Sequence, residues 1–334
     1  PRLEHALGVA TSAPLTIALI GGVAGMAWLV DHVAAGPEVD ALLEHFDGAL
    51  LRHVAVPQWT DRQDLVSGLA GAGVMLAQRG DARARRIAER VLAHFESTAI
   101  ESTAGVTWRT DPQFLPDQHR AVFPDGMIDL GVAHGVPGIV GMLAQFVETG
   151  IEPERSRALL ERGIAWLLGA VPNGCPRFGT SWPIDDGAKR IGWCHGDTGV
   201  ATVLMHAGRV LGSEQLVTQG LELLRQVIPF LDERGAPDAC LCHGAAGLAH
   251  AYNLAFQRTG DNEMREQARK WLQHTMRLRS SGHGIAGYQS FKVDPPGRRW
   301  EDDATLLTGV VGTALVLLAA TNEHEPVWQR LFVM

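Results

Sequence analysis

The sequence of 334 residues has few cysteines, few aromatic residues and no concentrated positive charge. Four cysteines in a chain of this length are too few for the disulfide framework of a secreted scaffold, so we expect reduced thiols and the cytoplasm as the location. The net charge is −8, and lysine and arginine do not gather into a basic patch. Both facts argue against a nucleic-acid-binding protein.

Long apolar runs are also scarce. Residues 12–30 carry no charge and have the length of a membrane span or signal segment. However, no basic segment precedes them, and they lie in register with five later segments of the same kind. We therefore predict a buried core helix here and no membrane span.

A Gly-x-x-Gly motif recurs six times along the chain, at intervals of roughly 45 to 70 residues. An apolar stretch rich in small residues follows each motif, and a turn and a second, amphipathic stretch come next. Each interval therefore predicts a helical hairpin. The motifs are Gly22–Gly25, Gly68–Gly71, Gly135–Gly138, Gly196–Gly199, Gly244–Gly247 and Gly309–Gly312.

Six hairpins can stack as an open solenoid or close into a ring. The repeats are few, uneven in length and not visibly capped, which favours closure. We predict an all-α, (α/α)6 toroid that forms a single domain over residues 1–334, with small glycines where backbones bend and helices crowd. Strand signals are weak, with short extended pieces at most in the loops 107–129 and 174–190.

Cysteine and histidine occur just before the glycine in the middle repeats. The sequence is Cys-His-Gly at Cys194 and again at Cys242, and Ala-His-Gly at His134. Two thiolates and one imidazole from equivalent turns are typical zinc ligands, and three protein ligands are typical of a catalytic zinc with an open position. We predict that Cys194, Cys242 and His243 bind one Zn2+, although His195 can replace His243 on this pattern alone.

The chain resembles the lanthionine synthetase C-like family, the cyclases of lanthipeptide biosynthesis, over nearly its whole length. The resemblance lies in five segments: DLVSGLAG from Asp64, GVAHGVPG around His134, RIGWCHGDTG from Arg190, LCHGAAG around Cys242, and the closing DDATLLTGVVG. It implies the same toroid and the zinc ligands Cys194, Cys242 and His243. It also implies intramolecular addition of peptide cysteine thiols to dehydroalanine or dehydrobutyrine.

The resemblance places Asp64, His134 and Arg190 in the same active site. His134 is the candidate acid–base group, because an imidazole titrates near neutral pH. Arg190 would stabilise the enolate or hold Asp64, and Asp64 would orient His134 or Arg190. The family motif commonly has tyrosine at position 195, where this chain has histidine, so a compensating role for His195 stays open.

Three functions compete at this point. The first is a zinc-dependent cyclase that acts on a dehydrated precursor peptide, with a lanthipeptide dehydratase in another protein or another domain. The second is a transferase that adds glutathione or another small thiol to dehydrated proteins. The third is a zinc-stabilised binding scaffold without turnover, which a retained set of His134, Arg190 and Asp64 argues against.

Overall fold

The computed structural model describes residues 15–33, 35–174, 177–183, 191–294 and 297–334. Helices dominate these residues, which confirms the all-α prediction, and contacts between residues divide the chain into two compact units. The first unit contains residues 1–129, 133–171 and 330–333, and the second contains residues 130–132, 172–329 and 334. The prediction of a single domain stays a prediction.

The first unit contains three helical hairpins and two short strands that pair with each other. Its helices are α1 (Val23–Val33), α2 (Pro37–Val54), α3 (Leu69–Arg79), α4 (Ala82–Thr98), the short α5 (Asp117–Val122), α6 (Val136–Thr149) and α7 (Pro153–Ala170). Strands β1 (Ile100–Ser102) and β2 (Gly105–Thr107) are antiparallel, and β3 (Ile128–Asp129) follows. Within this unit α3 packs against α1, α4 and α6.

The second unit continues the pattern after strand β4 (Ser181–Trp182). Its helices are α8 (Asp197–Leu211), α9 (Glu214–Val227), α10 (Ala245–Thr259), α11 (Asn262–Arg277) and α12 (Val310–Ala319). The antiparallel hairpin of β5 (Ser290–Asp294) and β6 (Gly297–Glu301) precedes α12. This hairpin lies outside the loops in which short strands were predicted. After α12 the chain forms a 3-10 helix (Val327–Phe332).

Each motif glycine lies where the sequence places it, at the start of the first helix of a hairpin. The first helices of the four middle repeats are largely buried, and in α3 every residue from Leu69 to Ala77 is buried, whereas α1 and α12 bury only one stripe. The second helices bury only one stripe, as α4 does with Ile87, Val91 and Phe95. The periodicity of the sequence therefore separates buried helices from amphipathic ones.

The turn within several hairpins uses a glycine and a capping side chain. Gly80, Gly212 and Gly260 adopt left-handed backbone angles after the first helix. The next residue caps the second helix, as when the Asp81 carboxylate accepts the backbone N–H groups of Arg83 and Ala84. Such caps satisfy helix ends that would otherwise lack partners and fix the direction of the following helix.

The motif glycines serve close packing, which was predicted, more than backbone bending, which was also predicted. At most of the motifs the first glycine has a negative, extended φ, so freedom to bend is not required there. The second glycine instead lies against a carbonyl group: a Cβ atom on Gly199 or Gly247 would be 2.0 Å from the oxygen of Trp193 or Leu241. Close backbone approach therefore excludes any larger residue.

The charge-free segment at the N-terminus is not one long helix. Residues 17–19 are buried without helical structure, and α1 begins only at Val23. Among the described helices, none combines the length and the apolar character needed to cross a bilayer.

Candidate metal centre

The two Cys-His-Gly turns come together in the second unit. The sulfur atoms of Cys194 and Cys242 and a ring nitrogen of His243 all lie within 4.8 Å of one another. Both cysteines are buried and unoxidised, and His243 is partly exposed. The structure therefore gathers the three predicted ligands at one point.

Backbone hydrogen bonds hold the two turns in register. The N–H groups of Trp193 and Cys194 donate to the carbonyl oxygen of Cys242, at 3.0 and 3.2 Å, and the N–H of Cys242 donates to the carbonyl of Leu307 at 2.9 Å. Gly192 lies directly against the second turn, since a Cβ atom there would be 2.9 Å from the Cα of His243. The ligands thus sit on rigid backbone.

Hydrogen bonds among the candidate ligands shift their pKa values in different directions. A hydrogen bond from Cys242 lowers the pKa of Cys194 well below its ordinary value, and the same contact raises the pKa of Cys242. Hydrogen bonds to Cys194 and Cys240 raise the pKa of His243 to about 11. Both directions favour a negative charge on the sulfur of Cys194.

This donor set fits zinc. In tetrahedral zinc with Zn–S bonds of about 2.3 Å, two sulfur ligands lie about 3.8 Å apart. This separation is compatible with candidate ligand atoms that all lie within 4.8 Å of one another. A divalent cation would replace the protons on Cys242 and His243, because zinc binds the deprotonated forms of both groups. Three ligands leave one position for a further group.

His195, the alternative third ligand, lies beside the cluster. It hydrogen-bonds Cys194, and its ring packs so closely on Gly131 that a Cβ atom there would be 2.5 Å from the ring carbon Cδ2. Among the described residues, both groups with metal-binding geometry include His243 and neither includes His195. The structure therefore favours His243 as the ligand.

Two residues of this region were not identified from the sequence. Asp238 and Cys240 form a second group with His243, whose possible ligand atoms also lie within 4.8 Å of one another. Cys240 is a buried free thiol, and burial raises its pKa. The spacing Cys-Leu-Cys-His was a signal for it, because Cys240 lies only two residues before Cys242.

His134 and Asp64 lie together in the first unit. Nδ1 of the half-exposed His134 is 3.2 Å from a carboxylate oxygen of the buried Asp64. The same oxygen accepts the backbone N–H groups of Val66 and Ser67 at 2.9 and 2.7 Å. Because a carboxylate oxygen fixed in this way accepts hydrogen bonds, Nδ1 of His134 carries the proton.

Asp64 also lines an open, polar cleft of about 340 Å3 within the first unit. Arg62, Arg109 and Asp125 lie on the same walls. Backbone and charged groups of a peptide are suited to such a surface. The remaining predicted site residue, Arg190, lies outside the described residues.

The sequence profile of the family described as lanthionine synthetase C-like protein matches residues 6–333. The nisin biosynthesis protein NisC of Lactococcus lactis subsp. lactis is 21% identical over 268 residues, which are 72% of this chain and 62% of that protein. The alignment thus spans less than two thirds of that relative.

Two solved structures share the fold. Nisin cyclase has a TM-score of 0.81 at 16% identity, covering 99% of this chain and 84% of its own. A sugar epimerase from a ruminal bacterium has a TM-score of 0.58 at 13% identity, covering 91% and 87%. The first likeness agrees with the predicted all-α toroid. Because the family profile covers almost every residue, the chain belongs to the lanthionine synthetase C-like family.

Proposed function

We propose that the chain is a zinc-dependent lanthipeptide cyclase. It adds cysteine thiols of a peptide to dehydroalanine or dehydrobutyrine of the same peptide and forms lanthionine or methyllanthionine rings. The observation that carries the proposal is the convergence of Cys194, Cys242 and His243 in a member of this family. No oxidant or reductant is needed, because the addition only isomerises the substrate.

The ligand trio has a definite chemical purpose in this proposal. A zinc ion bound there would hold a substrate thiol as a reactive thiolate at neutral pH. Cys194 and Cys242 are buried, and their turns are fixed by backbone hydrogen bonds, so the ligands need little rearrangement before binding. Their two negative charges balance the dication and preserve the nucleophilicity of the incoming sulfur.

The addition also requires proton transfer. The thiol loses its proton, sulfur forms a bond to the β-carbon, and the electrons of the double bond pass to an enolate that takes a proton at the α-carbon. We assign this proton transfer to His134, whose Nδ1–H is held by Asp64 and whose Nε2 exchanges the proton. Arg190 would stabilise the enolate or hold Asp64.

His195 has a separate place in the proposal, because it stands where the family motif commonly has tyrosine. It contacts the thiol of Cys194. We propose that it supports the ligand cysteine rather than transferring a proton. Its replacement should alter metal affinity more than the protonation of the product.

Substrate and location follow from the same chemistry. The substrate is a dehydrated precursor peptide, and a lanthipeptide dehydratase in another protein or domain supplies it. The three free cysteines of the described residues suit a reducing compartment, and we propose the cytoplasm. The polar cleft beside Asp64 is a suitable surface for part of the peptide.

The test combines zinc analysis with a cyclisation assay. The probe is a synthetic peptide with one dehydroalanine and one cysteine. Because cyclisation leaves the mass unchanged, the remaining thiol is alkylated and counted by mass spectrometry. We expect about one zinc per wild-type chain, loss of zinc and activity in Cys242→Ala, and retained zinc without activity in His134→Ala.

Three other outcomes would overturn parts of the proposal. Zinc retained in Cys194→Ala/Cys242→Ala would refute the ligand assignment. A wild-type chain that consumes glutathione with a cysteine-free dehydroalanine peptide, and does not cyclise the probe, would indicate the small-thiol transferase. Zinc binding with neither reaction would indicate a scaffold.

A further inference from the structure

Cys240 is a buried thiol that the proposed reaction does not use. It hydrogen-bonds His243, and it lies outside the trio formed by Cys194, Cys242 and His243. His243 therefore has two sulfur neighbours, one inside the ligand trio and one outside it. An imidazole has two ring nitrogens and can serve both neighbours at once.

Hydrogen bonds hold the backbone at Cys240 in place. The carboxylate of Asp238 accepts the N–H of Cys240 at 3.1 Å through one oxygen and the N–H of Phe291 at 2.9 Å through the other. The carbonyl oxygen of Cys240 accepts the N–H groups of both glycines of the following motif, Gly244 and Gly247, at 3.2 and 3.3 Å. These bonds fix the backbone of Cys240 in the turn that also carries His243.

The same arrangement recurs in the sixth repeat, whose turn contains none of the three candidate zinc ligands. Asp238, Cys240 and His243 stand six, four and one residues before Gly244, and Asp303, Thr305 and Thr308 stand at the same positions before Gly309.

In the sixth repeat these three residues are joined by hydrogen bonds. The hydroxyl of Thr308 is 3.1 Å from that of Thr305 and donates to Asp303 at 2.8 Å. The N–H of Thr305 donates to Asp303, as the N–H of Cys240 does to its aspartate. The turn itself therefore brings the side chains at these three positions into contact.

In a third turn, which lies in the first unit, the residue four positions before the motif glycine also contacts a histidine. Asp64 stands four residues before Gly68, and it contacts His134, which stands one residue before the glycine of its own motif. In both turns, those of Cys240 and Asp64, the residue four positions before the motif glycine contacts a histidine.

We propose that Cys240 is a positioning residue for His243. Its sulfur accepts a hydrogen bond from the ring N–H that remains when the other nitrogen binds zinc, and Asp238 holds Cys240 in place. Histidines that bind metals usually donate their second N–H to such a partner, which fixes the ring and strengthens the ligand. The inference rests on the proposed zinc function.

The experiment measures metal affinity and the spectrum of the cobalt-substituted protein. Zinc affinity is determined by competition with a chromogenic chelator, in wild type, Cys240→Ala and Cys240→Ser. Thr305→Ala is the matched control, because it breaks the equivalent contact in a turn without a ligand. We expect Cys240→Ala to weaken zinc binding roughly 10- to 100-fold, in line with other losses of such partners.

Cys240→Ser should recover most of this loss, since the hydroxyl is again an acceptor, and Thr305→Ala should bind zinc as wild type does. The thiolate-to-cobalt charge-transfer absorption should keep its wild-type intensity in Cys240→Ala at full cobalt occupancy, because both ligand thiolates remain.

Each remaining result overturns the inference in a recognisable way. Unchanged affinity in Cys240→Ala would show that the contact does not support the ligand. A weaker charge-transfer band would show that Cys240 binds the metal itself, and a serine variant as weak as the alanine variant would indicate packing alone. A wild-type chain that binds no zinc would instead refute the proposed function.

Discussion

The stability of the second unit should depend on pH through one buried histidine, His250. Its side chain lies in α10, is 1% exposed and stacks on the ring of Trp328 with centroids 4.7 Å apart. Burial lowers its pKa to about 4, and the cation of Arg258 acts in the same direction. The folded chain therefore keeps this ring neutral under conditions in which an exposed histidine is protonated.

The sign and size of the effect follow from this difference. As pH falls below about 6.5, the unfolded chain binds a proton at His250 that the folded chain rejects, so stability decreases until about pH 4. At 1.36 kcal/mol for each pKa unit, the loss across this interval is about 3 kcal/mol. Above pH 6.5 the group contributes no pH dependence.

The assay is urea unfolding followed by tryptophan fluorescence, at several pH values between 7.5 and 4.5. His250→Phe preserves an aromatic ring against Trp328 and removes the titrating group. We expect the free energy of unfolding to fall less steeply with acid in this variant than in wild type. Protonation of the zinc ligands affects both proteins and cancels in the difference.

His45→Gln is the control, because that ring is exposed and its removal should leave the acid dependence in place. Equal slopes for wild type and His250→Phe between pH 6.5 and 4.5 would refute the assignment of the loss to His250. The comparison uses slopes, so a constant packing penalty in the variant does not affect it.

Three further predictions concern packing and metal binding. The guanidinium of Arg79 binds the buried carboxylate of Asp47 at 2.5 and 3.2 Å. Arg79→Met removes this cation and should lower the free energy of unfolding by about 3–5 kcal/mol in urea titrations. A loss below about 1 kcal/mol would contradict this. Gly192→Ala should reduce zinc content through the clash with the Cα of His243, whereas Gly235→Ala, with open space around it, should retain zinc. Removal of zinc by a chelator should lower Tm. If the free zinc concentration before removal is one hundred times Kd, the loss of stability is about 2.7 kcal/mol. An unchanged Tm would contradict the metal assignment.

The helices and the crowding at their glycines could be predicted from the sequence, but the contact of these glycines with a nearby carbonyl group could not. Helix starts were predictable because apolar periodicity and a repeated glycine mark the same points, for example Gly68 before α3. The clash distance at Gly199 depends on a carbonyl group six residues earlier, and only coordinates reveal it. The β5–β6 hairpin was missed because its strands are short, and a pattern of five residues carries little periodic signal.

The metal site shows where sequence symmetry fails. Cys194 and Cys242 are each followed by histidine and glycine, so nothing in the motif selects one histidine as the ligand. The backbone differs between the two turns: the glycine after His195 has φ 102°, and the glycine after His243 has φ −97°. Two turns with the same three residues therefore direct the chain differently.

The residue four positions before each motif glycine adds a second difference between these turns. In the fourth repeat it is Gly192, which has no side chain and lies against the Cα of His243. In the fifth repeat it is Cys240, which contacts the ring of His243. Gly192 lets the two turns approach each other, and the thiol of Cys240 supports the imidazole of His243. Gly192→Cys should therefore disturb His243 through contact with its backbone, and it should not convert His195 into a ligand.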